Sequence, residues 1–187
     1  MAVQYWRQPE SIVTASGTAI ASTTTETILV PNVTLPAGFM YPGRTIKYTL
    51  YGEAGFVVTT PGSLTFRLRW NGVAGTVLAA SGAFAPDPTA ALASRSWKVE
   101  FVTTCRSAGT AGSLFTMGNM QINDFDDATV TTIINNLNMS VIPANTPAVV
   151  GSIDTTASVP LSVTAQCGVA TAGTTVQCHL AILESLS

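Results

Sequence analysis

Side chains that could carry chemistry are sparse in this sequence. There is one histidine, His179, between Cys178 and Leu180. On a strand, neighbours point to opposite faces, so Cys178 and His179 cannot easily share a metal. Val176, Cys178, Leu180 and Ile182 share one parity, the predicted core side, which leaves His179 on the outer face as an exposed or interface residue. The cysteines, Cys105, Cys167 and Cys178, show no CxxC or CxxH spacing, so no zinc site is expected. No base stands near to activate a thiolate. Asp124, Asp126 and Asp127 in NDFDDAT are dense enough for a calcium loop, but their spacing fits no EF-hand, and a solvated turn is the plainer reading. Glu26, Glu53, Glu100 and Glu184 are scattered, and no two are paired as a glycosidase requires. The chain has no G-x-S-x-G, G-x-x-x-x-G-K or G-x-G-x-x-G motif. With one histidine and few charges, this pattern points to no catalytic residues, no metal and no cofactor: a non-enzymatic protein.

The elements that would position these residues read as strands. Thr, Val and Gly are abundant and strand-like segments are punctuated by Gly, Pro and Asn. Residues 18–30, TAIASTTTETILV, predict one long Thr-rich strand ended by Pro31. LPAGFMYPG, residues 35–43, is a loop. In RTIKYTLY, Ile46, Tyr48 and Leu50 face the core; in LTFRLRW, Leu64, Phe66, Leu68 and Trp70 do, with Thr65, Arg67 and Arg69 outside. Asn71-Gly72 predicts a hairpin with 75–81 as the return strand. Residues 82–95 read as a loop with room for a helical turn. WKVEFVTTC follows as a strand with Trp97, Val99, Phe101 and Cys105 inside, then a glycine-rich turn into LFTMGNMQI. Over 123–136, Asp127 suits a helix cap while Val130 to Ile134 favour strand. ASVPLSVTAQC and TTVQCHLAIL predict a terminal hairpin about Ala172-Gly173, with Cys167 opposite Cys178. A disulfide there is possible; the odd cysteine count favours reduced, buried thiols.

The 187 residues suit one domain, an all-β sandwich of two antiparallel sheets with jelly-roll-like connections (18–187), preceded by an N-terminal arm (1–17). Only 10% of residues are charged, against roughly 25% in ordinary soluble domains. A neutral, hydroxyl-rich surface suits permanent contacts. Net charge is −2 with no basic run, so no nucleic-acid partner is expected. No membrane segment is expected either, since the longest uncharged stretch, Thr155–Leu183, is broken by Pro160, Gly168 and Gly173. The first residues, MAVQYWRQPES, lack the apolar core of a signal peptide.

Five segments carry a resemblance: STTTETILV, LPAGFMYPGRTIKYTLYG, TFRLRWNGVAGTVLAASGAF, WKVEFVTTCRSAGTAGSLFTMG, and SIDTTASVPLSVTAQC with VQCHLAILESLS. Together they resemble the capsid-decoration, or cement, proteins and related jelly-roll structural proteins of tailed bacteriophages. The resemblance implies a homotrimer on the capsid surface of the virion, made in the host bacterial cytoplasm and bound to the major capsid protein. It supplies no catalytic residue. Two segments are the expected anchors: Tyr5, Trp6 and Arg7 in the arm, and the apolar loop tip Phe39, Met40 and Tyr41. Tyr5 and Trp6 would equally suit a cover for the end of the protein's own sandwich. The competing expectation is a tail- or head-fibre tip that binds host glycans, with Tyr51, Glu53, Asn135 and Asn136 as contributors.

Overall fold

The computed structural model describes residues 8–86, 92–123 and 137–186. In chain order the strands are β1 (Gln8–Val13), β2 (Ile20–Ala21), β3 (Thr27–Ile28), β4 (Val33–Leu35), β5 (Thr45–Phe56), β6 (Leu64–Trp70), β7 (Thr76–Ala80), β8 (Leu92–Ser107), β9 (Gly112–Asn123), β10 (Leu137–Ile142), β11 (Val149–Ile153), β12 (Val159–Cys167) and β13 (Thr175–Ser185). They form two antiparallel sheets, one of eight strands and one of five. The larger runs β1-β13-β5-β8-β9-β10, with β2 also on β13 and β11 also on β9. The smaller runs β3-β12-β6-β7, with β4 also on β12. The expected β-sandwich is therefore present.

Strict alternation builds the core. Ile46, Tyr48 and Leu50 from β5, Trp97, Val99 and Phe101 from β8, and Phe66 and Leu68 from β6 are each at most 2% exposed. Phe66 meets Trp97 with ring centroids 4.9 Å apart, so the two sheets touch through aromatic side chains at the centre. Each such side chain contributes about 1.5–3 kcal/mol by leaving water.

Four expectations change. The stretch 18–30 is not one strand: β2 joins the larger sheet and β3 the smaller, so the chain crosses between sheets near Ser22, whose φ is 53°. Its run of threonines has the propensity for a strand but lacks an alternating apolar face to hold it on one sheet. Residues 92–95, read as loop, begin β8. The terminal hairpin is absent: β12 lies in the smaller sheet against β6 and β13 in the larger against β5, so the turn near Ala172-Gly173 connects sheets. Finally, a β-bulge at His179, between Cys178↔Gly52 and Leu180↔Tyr51, reverses the parity of β13. Val176 and Cys178 point inward, but beyond the bulge Ala181 and Leu183 do, and Leu180 and Ile182 move to the outer face.

The hairpin at Asn71-Gly72 is present, with both residues at positive φ (71° and 79°) and Trp70 paired to Thr76. The stretch expected to be an arm contributes β1, paired to β13 from Gln8↔Ser185 to Val13↔Ala181.

Candidate functional site

The loop 36–44 is held by Gly38 and Gly43 at φ 70° and 90°, by the Phe39 amide on the Pro36 carbonyl and by the Arg44 amide on that of Tyr41. These turns sort the expected tip residues apart. Met40 points into the core at 1% exposure, and its carbonyl accepts a bond from the Cys105 thiol. It is therefore not a surface anchor. Phe39 is half-buried against the core. Tyr41 alone is presented, at 46% exposure. The Arg44 guanidinium lies 4.3 Å over the Phe39 ring and 5.4 Å from that of Tyr41, and pairs with Glu10 of β1 at 3.3 Å. The beginning of β1 and the aromatic loop thus meet in one surface cluster. Tyr5, Trp6 and Arg7 lie outside the described residues.

A second cluster surrounds His179. The bulge lifts its ring outward, where Nδ1 shares a 2.8 Å hydrogen bond with the Ser16 hydroxyl and Nε2 stands 3.7 Å from Glu53. Ser94 donates to the other Glu53 oxygen. Tyr51, two residues before Glu53 on the same face of β5, is 40% exposed beside Lys98. Serine, imidazole and carboxylate in this order resemble a hydrolase triad, but the surroundings argue otherwise. The His179 and Glu53 side chains are 41% and 44% exposed, so nothing excludes water from them. The neighbouring Gly17 amide, a natural oxyanion donor, is spent on the Cys178 carbonyl. The cluster pins the segment after β1 onto β13, and Gln177 adds a bond to the Gly17 carbonyl. Asn135 and Asn136, the other expected glycan contacts, lie outside the described residues.

A third cluster was not legible as a unit. Glu26, in the crossing between β2 and β3, receives Arg69 through two nitrogens, one at 2.6 Å, and Arg67 at 3.2 Å, with Thr164 also donating. Burial alone would raise the Glu26 pKa; the Arg69 and Thr164 bonds and the two arginine charges outweigh it and hold the carboxyl below its usual value. The signal was present in Arg67 and Arg69, two outward cations on one strand face of a charge-poor chain. Their counter-ion is some forty positions away and cannot be paired by spacing.

The three cysteines are free and buried. Burial pushes all three thiols up, Cys178 to about 11, which makes them poor nucleophiles. Among the described residues no three His, Cys, Asp or Glu side chains gather as a metal site, and no helix is long and apolar enough to cross a membrane. Asp124, Asp126 and Asp127 lie outside the described residues. No protein-family model matches this chain, and no curated protein matches it.

Proposed function

We propose that this chain is a non-enzymatic virion structural protein, a jelly-roll-like cement or decoration protein that binds the major capsid protein and stabilises a phage head. The observation that carries the reading is the surface cluster of Tyr41, Arg44, Phe39 and Glu10, which joins the aromatic loop to the start of β1. Exposed tyrosine with a pre-oriented arginine is the composition of an interface anchor. The charge-poor surface supports the same reading, since neutral faces lose little when they are desolvated against a shell. Repetition on a lattice would add avidity, so that several contacts must open together. The test is co-sedimentation with tailed-phage heads that lack this protein. The wild-type chain should pellet with heads, and Tyr41→Ala should pellet at least tenfold less with unchanged circular dichroism. Heads that fail to retain the wild-type chain overturn the reading.

A second reading has its own observation. Tyr51, Glu53, Ser94 and His179 form an exposed aromatic-carboxylate-hydroxyl patch, a composition that suits a glycan. A fibre tip binding host glycans would then replace the cement role. Glycan-array binding lost in Tyr51→Ala, with no retention on heads, is the outcome that selects it.

A further inference from the structure

The larger sheet has one edge without charge. Residues 112–123 and 137–153, which hold β9, β10 and β11, contain no Asp, Glu, Lys, Arg or His. The registers Met139↔Gln121, Val141↔Asn119, Val149↔Phe115 and Val102↔Met117 put the apolar members of these pairs on the outer face. Met139 and Val141 are each 62% exposed, Val149 54% and Met117 38%. The four side chains present on the order of 300–400 Å² of apolar surface, the size of the largest apolar patch on a typical monomer, which is often functional. Among the described residues no strand pairs the far side of β10, and its sequence, LNMSVI, carries neither the lysine nor the proline that commonly blunts an edge.

We infer that the β10–β11 edge and the outer face beside it form the contact with a second copy of this chain. Three features favour a copy over an unlike partner. Strands β9, β10 and β11 carry no charged residue of their own, so two copies that meet along them bring few like charges together, Arg106 over the Phe115 ring being the nearest cation among the described residues. The unblunted edge offers main-chain hydrogen bonds to another strand of the same kind. A standard interface buries about 800 Å² per partner, a little over half of it apolar, and this patch supplies most of that apolar part, with Asn119, Gln121 and Ser140 to add polar contacts.

The inference rests on the assembly reading above, and the tests separate the two. Light scattering and sedimentation velocity on the full chain should give a multiple of 19.4 kDa. The Met139→Lys/Val141→Lys double variant should fall to 19.4 kDa, while Ile12→Lys, also exposed (53%) but on the opposite edge strand, keeps the oligomer. Hydrogen exchange on the wild type supplies a check independent of variant folding: amides of residues 137–142 and 149–153 should slow at least tenfold as concentration rises. A monomer at every concentration, or a folded double variant of unchanged mass, overturns the inference. An oligomer that ignores heads overturns the cement reading alone; a monomer that binds them overturns this interface alone.

Discussion

Glu26 shows how one carboxylate can hold a crossing in place. Its side chain is 15% exposed, as is that of Arg69, and Arg67 is 22% exposed, so water screens the pairs only partly. Glu26→Gln leaves two guanidiniums without a counter-charge and should cost about 2 kcal/mol in denaturant unfolding. Its acid dependence has a definite sign. The folded pKa lies below the ordinary 4.5, so the stabilisation is fully present above about 4.5 and is lost as pH falls through the folded value. Glu100 adds to the same window: burial would raise its pKa, but Lys47 and Lys98 outweigh that and lower it. Wild-type stability should therefore drop on the acid side, and Glu26→Gln should flatten the drop; an unchanged acid slope would refute the role of these pairs. Tyr48 gives the opposite case. Its ring is 2% exposed and its hydroxyl finds no hydrogen-bond partner among the described residues. Burial pushes its pKa well above the usual value. Tyr48→Phe removes an unsatisfied polar group at nearly constant shape, so it should raise stability by about 1 kcal/mol, read as a higher denaturant midpoint. A loss instead would reveal a partner for the hydroxyl.

At the scale of elements, close approach between strands decides which glycines matter. A Cβ on Gly52 of β5 would collide with the Gln177 carbonyl on β13 and the Trp97 ring from β8 at once. Neither can yield, because one is ladder backbone and the other is packed in the core. Gly52→Ala should therefore cost about 3 kcal/mol by thermal melting, whereas Gly151→Ala on β11, with nothing within 4 Å, should shift the midpoint little. The same elements show what alternation can and cannot disclose. β5, β6 and β8 were legible because each keeps one parity through its centre, and that parity alone placed Tyr48, Phe66, Leu68 and Phe101 inside. β13 was misread past its midpoint because a bulge shifts parity without leaving a compositional trace: Leu180 and Ile182 are as apolar as Ala181 and Leu183. The 18–30 stretch failed for a related reason, since propensity does not say which of two sheets a strand joins. For the site, the aromatic loop was legible from its glycines and prolines. The inward turn of Met40 was not, because neighbouring loop residues have no parity to read. The Glu26 and His179 clusters depend on pairings across more than forty and more than one hundred positions, which spacing does not encode.

Across the larger sheet, the ion pairs and the β9–β11 apolar patch occupy different parts. Lys47, Glu100 and Lys98 form a paired row on the outer face of its central strands, and Glu10 with Arg44 sits at the start of β1. Strands β9, β10 and β11 themselves carry no charged residue, and the cation nearest their outer face among the described residues is Arg106, over the Phe115 ring. The two proposed contacts should therefore answer differently to salt. Surface charge interactions are screened over about 10 Å at 0.1 M ionic strength and about 3 Å at 1 M. Head binding through Arg44 and Tyr41 includes a charged group near a surface, so it should weaken as sodium chloride rises. Self-association through Met117, Met139, Val141 and Val149 is chiefly apolar, so it should change little in sodium chloride and strengthen in sodium sulfate, which favours apolar burial. It should also show a negative heat-capacity change by calorimetric dilution, the signature of apolar surface leaving water. Sedimentation velocity across a salt series decides the matter. An oligomer that dissociates in sodium chloride would move the self-contact off the β9–β11 strands and onto one of the charged surfaces, such as the row of Lys47, Glu100 and Lys98.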